Sequence, residues 1–140
     1  MTVGQLAREA GVNLETVRFY ERKGLMPRPP RRPSGYREYP PEAVRRIRFI
    51  QRGKELGFSL REIAELLRLR VDPGRNCAEV KRQAEAKLAD IEMKLRELRH
   101  MQMALKKLAS ECTGRGPTSQ CPLLDALEAV QEGRSKARAD

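Results

Sequence analysis

From Cys77 to Glu111 the chain runs 35 residues without a proline or a glycine. Within that run Ala84, Leu88, Ile91, Leu95, Leu98, Gln102, Leu105 and Ala109 recur in steps of four and three. This is the spacing of one apolar seam on an α-helix, and it is sustained over nearly four heptads. At about 1.5 Å per residue such a helix is about 50 Å long, well beyond the reach of a domain of the size that precedes it. A lone helix would leave the seam in water. The pattern therefore predicts a dimerisation helix over 77–111, paired with the same helix of a second copy.

The segments before the long helix carry helix signals at close intervals and almost no strand signal. Thr2 is placed to cap a helix from Val3 to Ala10, with Val3, Leu6 and Ala7 on one side. Gly11 and Val12 make a tight turn, Asn13 caps a second helix from Leu14 to Lys23, and Gly24 closes it. Two short helices joined by a glycine-containing turn form a helix-turn-helix unit. The stretch RPPRRPSGYREY, Arg28 to Tyr39, is too rich in proline to be helical. It reads as a short hairpin or extended loop, a wing, whose arginines alternate with Tyr36 and Tyr39. A third helix starts near Pro41 and runs to Leu56, with Ala43, Val44, Ile47, Ile50 and Leu56 on its buried side; Gly57 stops it. Ser59 and Glu62 have the spacing of a capping box for a fourth helix, Leu60 to Leu69, with Leu60, Ile63, Leu66 and Leu67 turned inward.

The expected class is thus mainly α. A winged helix-turn-helix DNA-binding domain occupies 1–70 and a linker 71–76. The long helix, antiparallel in its dimer, occupies 77–111, and a metal-binding loop with a short helix, Pro122 to about Glu132, lies in 112–132. A charged tail closes the chain at 133–140.

Charge gives the first half a partner. The formal net charge is +10. Residues 1–70 hold 16 basic and 8 acidic residues, whereas 71–140 hold 13 and 11. A basic half beside a nearly neutral half points to a polyanion. Aromatics are 4% of residues, too few to anchor an amphipathic helix in a membrane. No stretch of 18 apolar residues and no leader-like apolar segment is present, so the expected setting is cytoplasmic, with no membrane contact. No acid–base pair, nucleophile constellation or phosphate loop stands out, and the one histidine, His100, falls on the long helix as a surface residue. An enzyme is not expected.

The chemistry lies in Cys77, Cys112 and Cys121. An odd number of thiols in a cytosolic chain points to reactive or metal-binding cysteines rather than to disulfides. Cys77 opens the long helix, Cys112 closes it, and Cys121 follows a glycine-containing loop. A straight helix keeps Cys77 and Cys112 of one chain from sharing an ion. Antiparallel pairing puts Cys77 of one subunit beside Cys112 and Cys121 of the other, giving two three-thiolate sites per dimer. Structural zinc takes four ligands. Three soft sulfurs with no hard fourth ligand favour mercury(II) or lead(II), with cadmium(II) behind.

The runs GVNLETVRFYERKGL (Gly11–Leu25), GYREY (Gly35–Tyr39) and LGFSLREIAELL (Leu56–Leu67) resemble the MerR family of bacterial regulators. NCAEV around Cys77 and CTGRGPTSQCPLL from Cys112 resemble its mercury-responsive branch, as do the cysteine separations of 35 and 9 residues. Zinc-responsive members typically carry a second cysteine directly after the middle one, where this chain has Thr113. The resemblance implies a homodimer on double-stranded promoter DNA that represses without metal. With metal bound it distorts the promoter so that RNA polymerase can engage. It also implies DNA contacts from Arg18 and Tyr20 on the second helix, from Arg31, Tyr36, Arg37 and Tyr39 in the wing, and from Lys54. Lead- or cadmium-responsive relatives share the three-cysteine pattern. A thiol redox switch and a metal buffer are the other readings of the same cysteines.

Overall fold

The computed structural model describes residues 1–129, which form two compact units, Met1–Lys87 and the residues from Leu88 onward. Among the described residues there are six α-helices: α1 (Val3–Ala10), α2 (Leu14–Arg22), α3 (Glu42–Glu55), α4 (Leu60–Val71), α5 (Cys77–Ser110) and α6 (Pro122–Glu128). A single 3-10 turn spans Thr118–Gln120. Helix α5 carries the chain from the first unit into the second.

Local chemistry accounts for most helix ends in the first unit. Thr2 and Gln5 form a reciprocal capping box at the start of α1, and Gly11 ends that helix in the left-handed region at φ 74°. The Asn13 side chain accepts from the Thr16 amide at 2.8 Å and starts α2. Ser59 and Glu62 form a second capping box on α4, with bonds of 3.1 and 2.7 Å. The α4–α5 turn is held the same way: Asp72 accepts from the Gly74 amide, and Asn76 from the Ala78 amide.

Packing then joins the helices: α1 lies against α2 and α3, and α3 against α4. The core they enclose is built on Leu6, Val17, Tyr20, Leu25, Ile47, Ile50 and Ile63, all fully buried. Helix α3 departs from its expected pattern at its end. Leu56 is 50% exposed rather than buried, because the chain leaves the helix there and turns at Gly57 (φ 93°). Gly53 takes the inner place instead; a Cβ on it would lie 2.9 Å from Ile63 Cγ1. On α4, Ile63 and Leu67 are buried, while Leu60 and Leu66 are half-buried. The helix continues to Val71, two residues past its expected end.

The wing is an extended loop pinned by one antiparallel bridge between Arg31 and Arg37. Pro29, Pro30 and Pro33 have no amide hydrogen to extend a ladder. Side chains supply what the ladder lacks: Arg31 donates to the Gly35 carbonyl at 2.9 Å, Arg37 to the Pro29 carbonyl at 2.6 Å, and Arg32 pairs with Glu38 at 2.6 Å.

No residue of α5 is buried. Its seam stands open, with Leu88, Ile91, Leu95, Leu98 and Leu105 between 38% and 59% exposed. Beyond α5 the chain turns through Gly114 and Gly116, both at positive φ, and Pro122 occupies the first turn of α6. Helix α6 stops at Glu128, short of the expected end near Glu132, because Ala129 is already extended. Positions 130–132 of that expected helix and the expected tail at 133–140 lie outside the described residues.

Candidate nucleic-acid interface and metal centre

The exposed side of α2 and the inner side of the wing bound a cleft of about 530 Å³. Five arginines line it: Arg18 and Arg22 from α2, and Arg28, Arg31 and Arg37 from the following loop and wing. Arg22 follows Arg18 by four residues, so both project from one face of α2. Arg18 is exposed and Tyr36 is 73% exposed at the rim. Guanidinium groups converging on a groove beside an open tyrosine suit the phosphates and sugars of a nucleic-acid backbone. The Arg22–Glu15 pair at 3.4 Å is solvent-exposed and too weak to withdraw Arg22 from that role.

Of the residues expected to touch DNA, Arg18, Arg31, Tyr36 and Arg37 line this cleft together. Tyr20 and Tyr39 are placed differently, both being buried. The Tyr20 side chain is fully buried, its ring tilted against Phe19 and its hydroxyl accepting from Gln51 at 2.9 Å, so it is a core residue. Tyr39 forms part of the cleft wall but is only 3% exposed; its hydroxyl donates to Glu21 at 2.5 Å. Burial, then the Glu21 carboxylate, push the Tyr39 phenol up to about 12. Tyr20 shares the buried face of α2 with Val17, three residues before it, so its ring packs inward and only its hydroxyl needs a polar partner. Lys54 is exposed outside the cleft, its ammonium 5.9 Å from the centre of the Tyr20 ring. Arg28 joins the cleft from the basic run of the wing, and Arg22 and Glu21 join it without having been expected there. The four-residue spacing from Arg18 identifies Arg22; nothing local marks Glu21, whose side chain is 5% exposed.

The thiols fall in two places. Cys77 is exposed on the first turn of α5. Cys112 and Cys121 are half-buried, and their side chains are within hydrogen-bonding reach of each other. Cys112 lies two residues past the end of α5, its amide bonded to the Ala109 carbonyl, while Cys121 holds the N-cap position of α6. The Cys121 side chain makes no capping hydrogen bond to α6, but the amides of Leu124 and Leu123 lie near its sulfur. Chiefly the first of these, with help from Cys112, holds the Cys121 thiol below its ordinary value; partial burial and the nearby Asp125 oppose this. Thiolate is the form that binds a metal. Among the described residues no three His, Cys, Asp or Glu side chains gather in one chain as a metal site.

Residues 1–69 match the family of MerR HTH regulatory proteins, and residues 44–108 match the MerR DNA-binding family. A mercuric resistance operon regulatory protein from Serratia marcescens is 44% identical over 96% of this chain and 92% of its own length. The chain belongs to the MerR family. Two solved MerR-type regulators share its fold. One is the regulator PbrR691 from Ralstonia metallidurans in complex with lead(II), with a TM-score of 0.82 at 35% identity over 91% of this chain and 98% of that one. The other is the dual-function MerR of Bacillus megaterium in complex with mercury(II), with a TM-score of 0.69 at 34% identity over 92% and 100%. As a MerR-family member the protein is a DNA-binding transcriptional regulator rather than an enzyme, and its arginine-lined cleft lies within residues 1–69, the part matched to the MerR HTH family. No helix among the described residues is long and apolar enough to cross a membrane.

Proposed function

We propose that this MerR-family protein is a mercury(II)-responsive regulator of a mercury-resistance operon, repressing its promoter without metal and activating it with metal. The observation that carries the proposal is the placement of two free, half-buried thiols, Cys112 and Cys121, at the two ends of the loop that joins α5 to α6. Two soft ligands are prepared in one loop, and the third is Cys77 of the other subunit. Three thiolates and no hard fourth ligand suit mercury(II). The 44% identity to a mercuric resistance regulator and the fold shared with a mercury(II)-bound one support the same reading.

In the proposed assembly the open seam of α5 pairs antiparallel with that of a second copy, bringing Cys77 to the partner loop. Arg18, Arg22, Arg31 and Arg37 grip the promoter backbone. Metal binding alters the geometry of the dimer and so the deformation imposed on the DNA, realigning it for RNA polymerase. A cytoplasmic setting follows from that task. Lead(II) is the second reading, favoured by the fold shared with the lead(II)-bound regulator.

Run-off transcription from the promoter upstream of the protein's own gene separates the readings. Equal trace mercury(II), lead(II), cadmium(II) and zinc(II) are compared under a thiol buffer. Activation by mercury(II) alone, lost in Cys77→Ala, Cys112→Ala and Cys121→Ala, is expected. Activation by lead(II) instead changes the effector and keeps the site. No response to any metal, with DNA binding intact, eliminates metal sensing and favours a thiol redox switch.

A further inference from the structure

A nearly buried carboxylate is out of place in a cleft built to hold phosphate. Glu21 lies among five arginines, yet its side chain is 5% exposed. A carboxylate facing a nucleic-acid backbone would repel it, so this one has a different task. Its partners indicate which. Glu21 Oε2 accepts from the Tyr39 hydroxyl at 2.5 Å, and Glu21 Oε1 lies 4.0 Å from Arg28 Nε. Tyr39 itself ends the wing, and its main chain pairs with that of Met1 through bonds of 2.7 and 2.9 Å. Helix α2 and the segment leaving the wing are therefore tied at one point, with Arg28 of the entering loop at ion-pair distance.

We propose that Glu21 and Tyr39 form a strut that sets the spacing between α2 and the wing. They are positioning residues for DNA recognition, acting through Arg18, Arg28 and Arg31 without touching DNA themselves. The strut is a charge-assisted O–H···O⁻ bond, short and directional, and stronger than a neutral one. Its burial shields the carboxylate from incoming phosphate. Because Tyr39 stays a phenol until the pH approaches about 12, the donor is present throughout the physiological range. The proposal rests on the family's DNA binding and on no particular effector, so it survives any outcome of the metal experiment.

The salt dependence of binding separates a positioning residue from a contact residue. The slope of log affinity against log salt counts neutralised phosphates. A duplex selected by the wild-type protein from a random pool serves as the specific probe, and an unselected duplex as the control. Arg18→Ala, a direct contact, is expected to lower the slope by about one. Tyr39→Phe is expected to weaken binding to the selected duplex on the order of tenfold, the effect of one hydrogen bond to a charged group. Its slope and its affinity for the unselected duplex stay at the wild-type values. A slope reduced by about one in Tyr39→Phe makes the hydroxyl a phosphate contact and overturns the proposal. Unchanged affinity for the selected duplex overturns it too, leaving Tyr39 a packing residue. Should Tyr39→Phe fail to fold, Glu21→Gln and Glu21→Ala decide. The carboxamide still accepts from Tyr39 and is expected to retain most of the selectivity that Glu21→Ala loses. Equal retention, or equal loss, in the two variants overturns the strut.

Discussion

Tyrosines 20, 36 and 39 occupy the same basic half of the chain and have three different fates. Tyr36 projects from the wing, Tyr20 fills the core, and Tyr39 is walled in with its hydroxyl on a carboxylate. The last of these has a consequence in alkali. The folded pKa of Tyr39, about 12, lies above the ordinary tyrosine value of 10.0, chiefly through burial. A raised folded pKa means that the neutral form is favoured by folding. Its contribution to stability is complete below pH about 10 and is lost as the pH rises toward about 12. Alkaline unfolding followed by circular dichroism should therefore show a steep loss of stability in that window. In Tyr39→Phe this component of the pH dependence disappears.

At the scale of elements, capping and amphipathy explain which segments form and which stay unfinished. The capping box on α4 is doubly used, because Glu62 also receives Lys87 Nζ at 2.9 Å. The Ser59 amide and then Lys87 hold the Glu62 carboxyl below its usual range. Removing the cap with Ser59→Ala is expected to cost about 1 kcal/mol, read as a lower midpoint in urea with an unchanged slope. Helix α5 is the unfinished element. Thirty-four residues with none buried cannot owe their helicity to packing within one chain. If a second copy covers the seam, Leu95→Asp should shift the protein from dimer to monomer in sedimentation equilibrium and lower its helix content at the same concentration. A variant that remains dimeric with unchanged helicity removes the seam from the interface.

For the whole molecule, the proposed sensor needs thiols from two chains, and this can be tested without resolving the dimer. Mixed dimers of Cys77→Ala and Cys112→Ala subunits contain one site in which all three cysteines survive, if each site is shared between subunits. Neither parent homodimer contains any. Mercury(II) retained in equilibrium dialysis against excess competing thiol should therefore rise on mixing the two variants after co-refolding, above the level of either parent. A site confined to one chain would leave the mixture as inactive as its parents.

The helices are legible in the order of residues alone, because caps such as Thr2, Asn13 and Ser59 act on amides three residues away and need no distant partner. So are the basic bias of the first half, the apolar seam of α5 and the identity of the three thiols. Direction and company are settled only when the chain folds. Tyr20 and Tyr39 face inward, Leu56 faces out, and Gly53 takes its place against Ile63. Glu21 meets Tyr39 across 18 residues of chain, and Cys121 turns toward Cys112 at the start of α6. The physical reason is range. Periodicity and capping are local and are written in consecutive residues, whereas the burial of one side chain depends on which distant surface closes over it.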